Sequence, residues 1–143
     1  MSLFGSLAVS ASGMDAQRRR AELLTENLAN AETTRTPEGG PYRRKDAVFS
    51  TAEVGSPFQS EFQSAFDGVG VKVANVTVDQ RDPEKRYVPG HPDADANGYV
   101  AFPRMNPAED MVDLMDASRG YQANVAAISS IKDMIQRSID LLR

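Results

Sequence analysis

The sequence predicts an α+β fold: long N- and C-terminal helices forming an α-helical coiled-coil layer, with a small central β-rich domain between them. Three observations carry this reading. Residues 106–143 place apolar side chains at alternating spacings of three and four. Residues 1–30 repeat that pattern more weakly. The stretch between them alternates valines with other residues and is punctuated by Gly and Pro. The divisions that follow are 1–36 (amphipathic helix and turn), 37–105 (β-rich, with a short helix near 57–66) and 106–143 (heptad helix).

In the first helix, Leu7, Met14, Ala21 and Leu28 share one heptad position, and Leu24 and Ala31 share the next. The opening "LFGSLAVSA" resembles a signal peptide only faintly. It has no basic n-region, and Gly5 and Ser6 interrupt its apolar stretch, so it reads as the start of this helix. Arg18, Arg19 and Arg20 break the stripe and read as a solvated basic face whose stems lie along apolar surface, with a phosphate or lipid patch as the alternative. After Asn30, the threonines and Pro37-Glu38-Gly39-Gly40-Pro41 cannot continue a helix. Asn27 and Asn30 flank Leu28. Asn30 is expected to close the helix in left-handed geometry. Asn27 is expected to hydrogen-bond a neighbouring subunit and fix register, with Asn124 as its counterpart in the last helix.

The middle reads as short strands: Tyr42–Phe49, Val69–Val78, Tyr87-Val88 and Tyr99–Phe102. Val69, Val71 and Val73 alternate, as do Val76 and Val78, but with opposite parity, which a bulge or turn at Ala74-Asn75 reconciles. Between the first two strands, Phe58, Phe62 and Phe66 share one helical face, read as a short helix packed on the sheet or a partner-docking segment.

The last helix opens with Asn106 as N-cap, Pro107 at the first helical position and Glu109 at the third. Its main stripe is Met111, Leu114, Ser118, Tyr121, Val125, Ile128, Lys132, Ile135, Ile139 and Leu142. A second row, Ala117, Ala127, Ile131, Met134 and Leu141, lies beside it. One seam suits one partner helix, whereas two adjacent seams call for several. A helix over 107–142 is about 54 Å long, while a globule of this chain length is roughly 37 Å across. The helix overshoots its own domain, so its surplus apolar surface must meet other chains. The residues expected to carry assembly are Met14, Leu24, Asn27, Leu28, Asn30, Leu114, Tyr121, Asn124, Val125, Ile128, Ile131, Ile135, Ile139 and Leu142.

Composition narrows the chemistry. A net charge of −4 gives no electrostatic reason to bind nucleic acid, and no apolar run is long enough to insert in a membrane. With no cysteine, disulfides, thiol catalysis and thiolate metal sites are all excluded. "DADANG", Asp93–Gly98, matches half of a calcium loop. The position that needs a bidentate glutamate is Arg104, so the segment reads as Asx turns with Gly98 at positive φ. His91 is the only histidine, and the acids Glu109, Asp110, Asp113 and Asp116 suit the macrodipole of the helix they open. No catalytic residue, cofactor or metal is expected.

Three stretches resemble the bacterial flagellar axial (rod and hook) proteins, and the proximal-rod branch in particular: "SASGMDAQRRRAELLTENLANAETTRTPEGGPYRRK", "YVPGHPDADANGYVAFP" and "MVDLMDASRGYQANVAAISSIKDMI". Ser12-Gly13-Met14, Asn27–Ala31 and Tyr121–Asn124 are common to that whole family. Thr33–Arg44 and Pro89–Pro92 are similar to the proximal-rod branch alone. The Phe58–Phe66 stretch and Pro103-Arg104-Met105 depart from the branch's pattern. The resemblance implies a structural subunit of the periplasmic rod, a drive shaft, whose terminal helices pack into a tube with the β region outside. It implies as partners other rod proteins, copies of itself and, during secretion without a cleaved signal, the flagellar type III export apparatus. Another rod or hook subunit and a non-polymerising coiled-coil adaptor are the alternatives.

Overall fold

The computed structural model describes residues 3–53 and 69–141. The Phe58–Phe66 segment and Leu142 lie outside them. Six elements follow in order: α1 (Leu3–Ala29), β1 (Lys45–Glu53), β2 (Val69–Val78), β3 (Glu84–Tyr87), β4 (Tyr99–Phe102) and α2 (Pro107–Asp140).

The two helices form an antiparallel hairpin, with Gly13 facing Asn124 and Gly120 facing Gln17. A Cβ on Gly13 would lie 3.0 Å from the Asn124 amide, and one on Gly120 would lie 3.1 Å from Gln17. With Ala16 and Ala117 buried nearby, small residues let the two backbones approach closely. The seam of α2 is therefore only in part the main stripe expected from the sequence: it takes Leu114, Ile128 and Ile135 from that stripe and Ala117, Ala127 and Ile131 from the second row. The buried and half-buried positions are Asp110, Asp113, Leu114, Ala117, Gly120, Asn124, Ala127, Ile128, Ile131 and Ile135, recurring every three or four residues on one face. Met111, Tyr121, Val125 and Ile139 of the expected stripe stay exposed. The heptad period was legible, but its phase is decided by backbone approach at the small residues.

Helix ends follow local chemistry. Asn106 has extended backbone, and its side chain accepts from Ala108 N (3.1 Å) with Pro107 following, as the sequence predicts. At the end of α1, Asn30 does not adopt left-handed geometry, since no described non-glycine residue has positive φ. Instead its N–H donates to the Glu26 and Asn27 carbonyls (both 3.1 Å), and its side chain donates to Glu26 O (2.9 Å). The side-chain bond satisfies the last turn without a left-handed residue. The left-handed positions fall later, at Gly39 and Gly40, where Thr36 N donates to Gly40 O (2.8 Å) and closes the turn.

β1 and β2 pair antiparallel, with the register shifting between Val48/Asn75 and Phe49/Val73. Ala74 is the extra residue, so the bulge stands where the valine parity places it, and Val71, Val73 and Val76 are all half-buried. β1 begins at Lys45 rather than Tyr42, and the side chains of Tyr42 and Arg44 are bound to Asn27 and Asp110 on the two helices. β3 and β4 form a separate antiparallel pair, Glu84↔Phe102 to Tyr87↔Tyr99, with Val100 buried beneath it. β3 covers 84–87 rather than 87–88, since Val88 already belongs to the turn and donates to Gly98 O (2.9 Å). In that turn Asp95 Oδ1 accepts from Asn97 N (2.8 Å) and Tyr99 N (2.9 Å), and Gly98 has φ 80°. The Asx turn at Asp95 is as the sequence predicts.

Candidate assembly surface and the strap beneath it

Buried apolar residues among those described are few: Ala16, Leu23, Leu24, Tyr42, Val100, Ala117 and Ile131. A small core leaves much apolar surface open, on the strands (Val48, Phe49, Val69, Val78, Tyr87 and Tyr99) as well as on α2. Met111, Val112, Met115, Tyr121, Val125, Met134 and Ile139 are exposed along it, and Leu3 and Phe4 are exposed at the start of α1. From residue 111 to 139 this surface runs about 42 Å.

The expected assembly residues divide into two groups. Leu24 and Ile131 are buried inside the hairpin, and Met14, Leu28, Leu114, Asn124, Ile128 and Ile135 are half-buried. Tyr121, Val125 and Ile139 face outward. Asn124 donates to Gly120 O in its own helix (2.9 Å) and covers Gly13, so its amide is engaged within the chain.

Asn27 departs furthest from expectation. It is 0% exposed and turned inward. Its Nδ2 donates to Lys45 O (2.8 Å), while its Oδ1 accepts from Lys45 N (2.9 Å) and Tyr42 Oη (2.9 Å). The side-chain amide thus pairs with both backbone groups of one β1 residue, as a neighbouring strand would. A side chain with no exposed surface cannot bond a neighbouring subunit, so the expected register contact is replaced by an intrachain one.

Residues 42–46 form a strap gripped from both helices. From α1, Asn27 holds Tyr42 and Lys45, and Glu26 pairs with Lys45 Nζ. From α2, Asp110 Oδ1 accepts from Arg44 Nε (3.0 Å) and Nη2 (2.8 Å). Asp46 also pairs with Arg44 (2.9 Å), and Asp113 lies 3.8 Å from it. Arg20 crosses from α1 to the same Asp113 (3.0 Å), so it is part of the hairpin and not of a solvated basic face. Arg18 and Arg19 pair with Asp15 and Glu22 along the exposed side of α1. The strap also meets the end of β2, where Asp79 N donates to Arg44 O (2.9 Å) and Arg43 Nη1 donates to Asp79 O (3.0 Å). Burial, and then the Glu26 and Asp110 carboxylates, push the Tyr42 phenol up to about 12.

Tyr42, Arg44 and Asp110 were missed as structural residues. Asp110 looks like any acid in a helix's first turn, yet its side chain is only 1% exposed and its Oδ2 is buried without a hydrogen-bond partner. The one usable signal was that Arg43, Arg44 and Lys45 follow a turn directly, where a strand start alone does not require three cations. Asp93, from the half calcium loop, accepts from Thr34 Oγ1 (2.8 Å) and lies 3.7 Å from Arg35, joining two loops. Among the described residues, no three His, Asp or Glu side chains converge as a metal site, and no helix is long and apolar enough to cross a membrane.

Comparison with known proteins places the chain among flagellar rod proteins. Residues 96–141 match the family model described as flagellar basal body rod FlgEFG protein C-terminal. Over its full length the chain is 38% identical to the flagellar basal-body rod protein FlgC of Borreliella burgdorferi, covering 99% of that protein. It is 41% identical to FlgC of Bacillus subtilis over 99% of both chains. It is 39% identical to FlgC of Salmonella typhimurium over 99% of this chain and 98% of the relative. A surface of open helix, a β unit strapped to its base and full-length identity at this level lead to one conclusion: the chain belongs to the FlgC family of flagellar basal-body rod proteins.

Proposed function

We infer that this structural, non-enzymatic rod subunit polymerises in the proximal rod through the face its hairpin leaves open. The observation that carries this reading is the exposed row on α2, Met111, Met115, Tyr121, Val125 and Ile139, beside a seam that α1 already occupies. Burial of such a surface is favourable by about 25 cal/mol per Å2, which offsets the entropy of ordering the open end of the hairpin. That end, the start of α1 with the distal half of α2, completes its order on assembly. The contacts join unlike surfaces of successive subunits and do not close, so they extend into a helical tube. Its neighbours are copies of this chain and other rod proteins. The chain reaches the periplasmic rod through the flagellar type III export apparatus without a cleaved signal, and in the rod it contributes to motility.

The test is Val125→Asp combined with Ile139→Asp. Both positions are exposed, so the isolated chain keeps its fold by circular dichroism and is exported. Rods fail to form and swimming is lost. Intact rods and normal swimming from this variant would overturn the reading.

A further inference from the structure

We propose that the strap over residues 42–46 is a rigid coupling joint between the helical hairpin and the β1–β2 unit, and that Asn27 is its positioning residue. The two bodies touch along α1 at two hydrogen-bonded points. At one end Asn27 pairs with both backbone groups of Lys45, where β1 begins. At the other, Ser12 Oγ accepts from Val71 N (3.1 Å) in β2. These points are fifteen residues apart on α1, about 22 Å. Two points define a line, and a sheet fixed to a helix only along a line can still rock about it. Rocking is blocked by the second helix, because Arg44, one residue before Lys45, is held by Asp110 on α2. The strap therefore gives the sheet a third, off-axis attachment.

The chemistry suits a stiff joint. Asn27 has no solvent to exchange with, and its amide offers the donor and the acceptor that Lys45 requires. Releasing Lys45 from Asn27 takes the partner away from its backbone N–H and its backbone C=O at once, at a part-buried joint, and unpaired groups of this kind resist opening. Serine, aspartate or alanine cannot reproduce the pairing: an amide carries both functions on one rigid plane. The consequence for a load-bearing tube is that the orientation of the β unit is set within each subunit before neighbours arrive. Asn27 thus acts on assembly through intrachain geometry.

The experiment places spin labels at cysteines introduced by Glu22→Cys on α1 and Asn75→Cys on β2, both exposed, in a chain that otherwise has no cysteine. Pulsed dipolar spectroscopy then reads the distance distribution in the full-length chain. The parent gives one narrow distribution. Asn27→Ala broadens it and shifts its mean while the helical circular dichroism is retained. Tyr42→Phe, which leaves both Lys45 bonds in place, keeps it narrow. If Asn27→Ala does not fold, Asn27→Asp decides. It retains the acceptor and loses the donor to Lys45 O, so broadening is again expected. A narrow, unshifted distribution in the folded Asn27 variant would overturn the proposal and leave Asn27 with a role in stability alone. Equal broadening in Tyr42→Phe would also overturn it, since the Lys45 pairing would then not be what positions the sheet.

Discussion

Replacing Arg44 and replacing Asp110 should have very different consequences, although the two residues form one ion pair. The Asp110 side chain is 1% exposed, whereas Arg44 is 24% exposed and has a second carboxylate, Asp46, at 2.9 Å. Arg44→Met removes both donors to Asp110 Oδ1 and strands a buried carboxylate whose other oxygen is already unpartnered. Loss of one partner from a buried pair costs about 3–5 kcal/mol, because the remaining charge is left desolvated. Asp110→Asn keeps an oxygen for Arg44, which also has Asp46 and solvent, so the cost is about 1 kcal/mol. The unfolding entropy of 143 residues is about 0.3 kcal/mol/K near the midpoint. Arg44→Met therefore lowers Tm by about 10 °C or more, and Asp110→Asn by about 3 °C. Urea titration of the dilute chain by far-ultraviolet circular dichroism measures both, together with Arg44→Met/Asp110→Leu, which should recover most of the loss because it removes both charges at once. Equal costs for the two single variants, or a double variant as unstable as Arg44→Met, would refute the assignment of the cost to a stranded Asp110 charge.

Two further outcomes follow from the same geometry. Gly13→Ala gains about 1 kcal/mol in helix propensity but presses on Asn124, which is tied to Gly120 O, and overpacking of about 1–3 kcal/mol wins. Gly120→Ala has the flexible Gln17 side chain as its nearest neighbour and should leave thermal stability unchanged or raised, so a calorimetric loss as large as that of Gly13→Ala would contradict the packing described. The Tyr42 phenol, raised to about 12 from an ordinary 10.0, holds its proton longer in the folded than in the unfolded chain. Its contribution is full below pH 10 and is lost as pH rises toward 12. Tyrosinate absorbance should show a last step coincident with alkaline unfolding that Tyr42→Phe removes, and persistence of that step in the variant would assign it elsewhere.

Periodicity and local chemistry made much of this molecule legible in its sequence. The two helices, the Asn106-Pro107 start of α2, the bulge at Ala74 and the Asx turn at Asp95 each depend on residues close in the chain, so each could be read from spacing and residue type. The surplus of apolar helix surface was legible too, since it follows from helix length against domain size. Which residues of the two rows on α2 stay open was not, since the buried seam draws on both. That depends on Gly13 and Gly120 letting the helices approach, a contact between residues more than a hundred positions apart. Asn27 marks the same division. Its sequence position beside Leu28 suggested an amide on an outer seam. The fold carries Lys45 back against the helix and turns that amide into an internal partner for β1. Hydrogen-bonding groups are satisfied by whatever long-range packing brings near, and only the tertiary structure decides what that is.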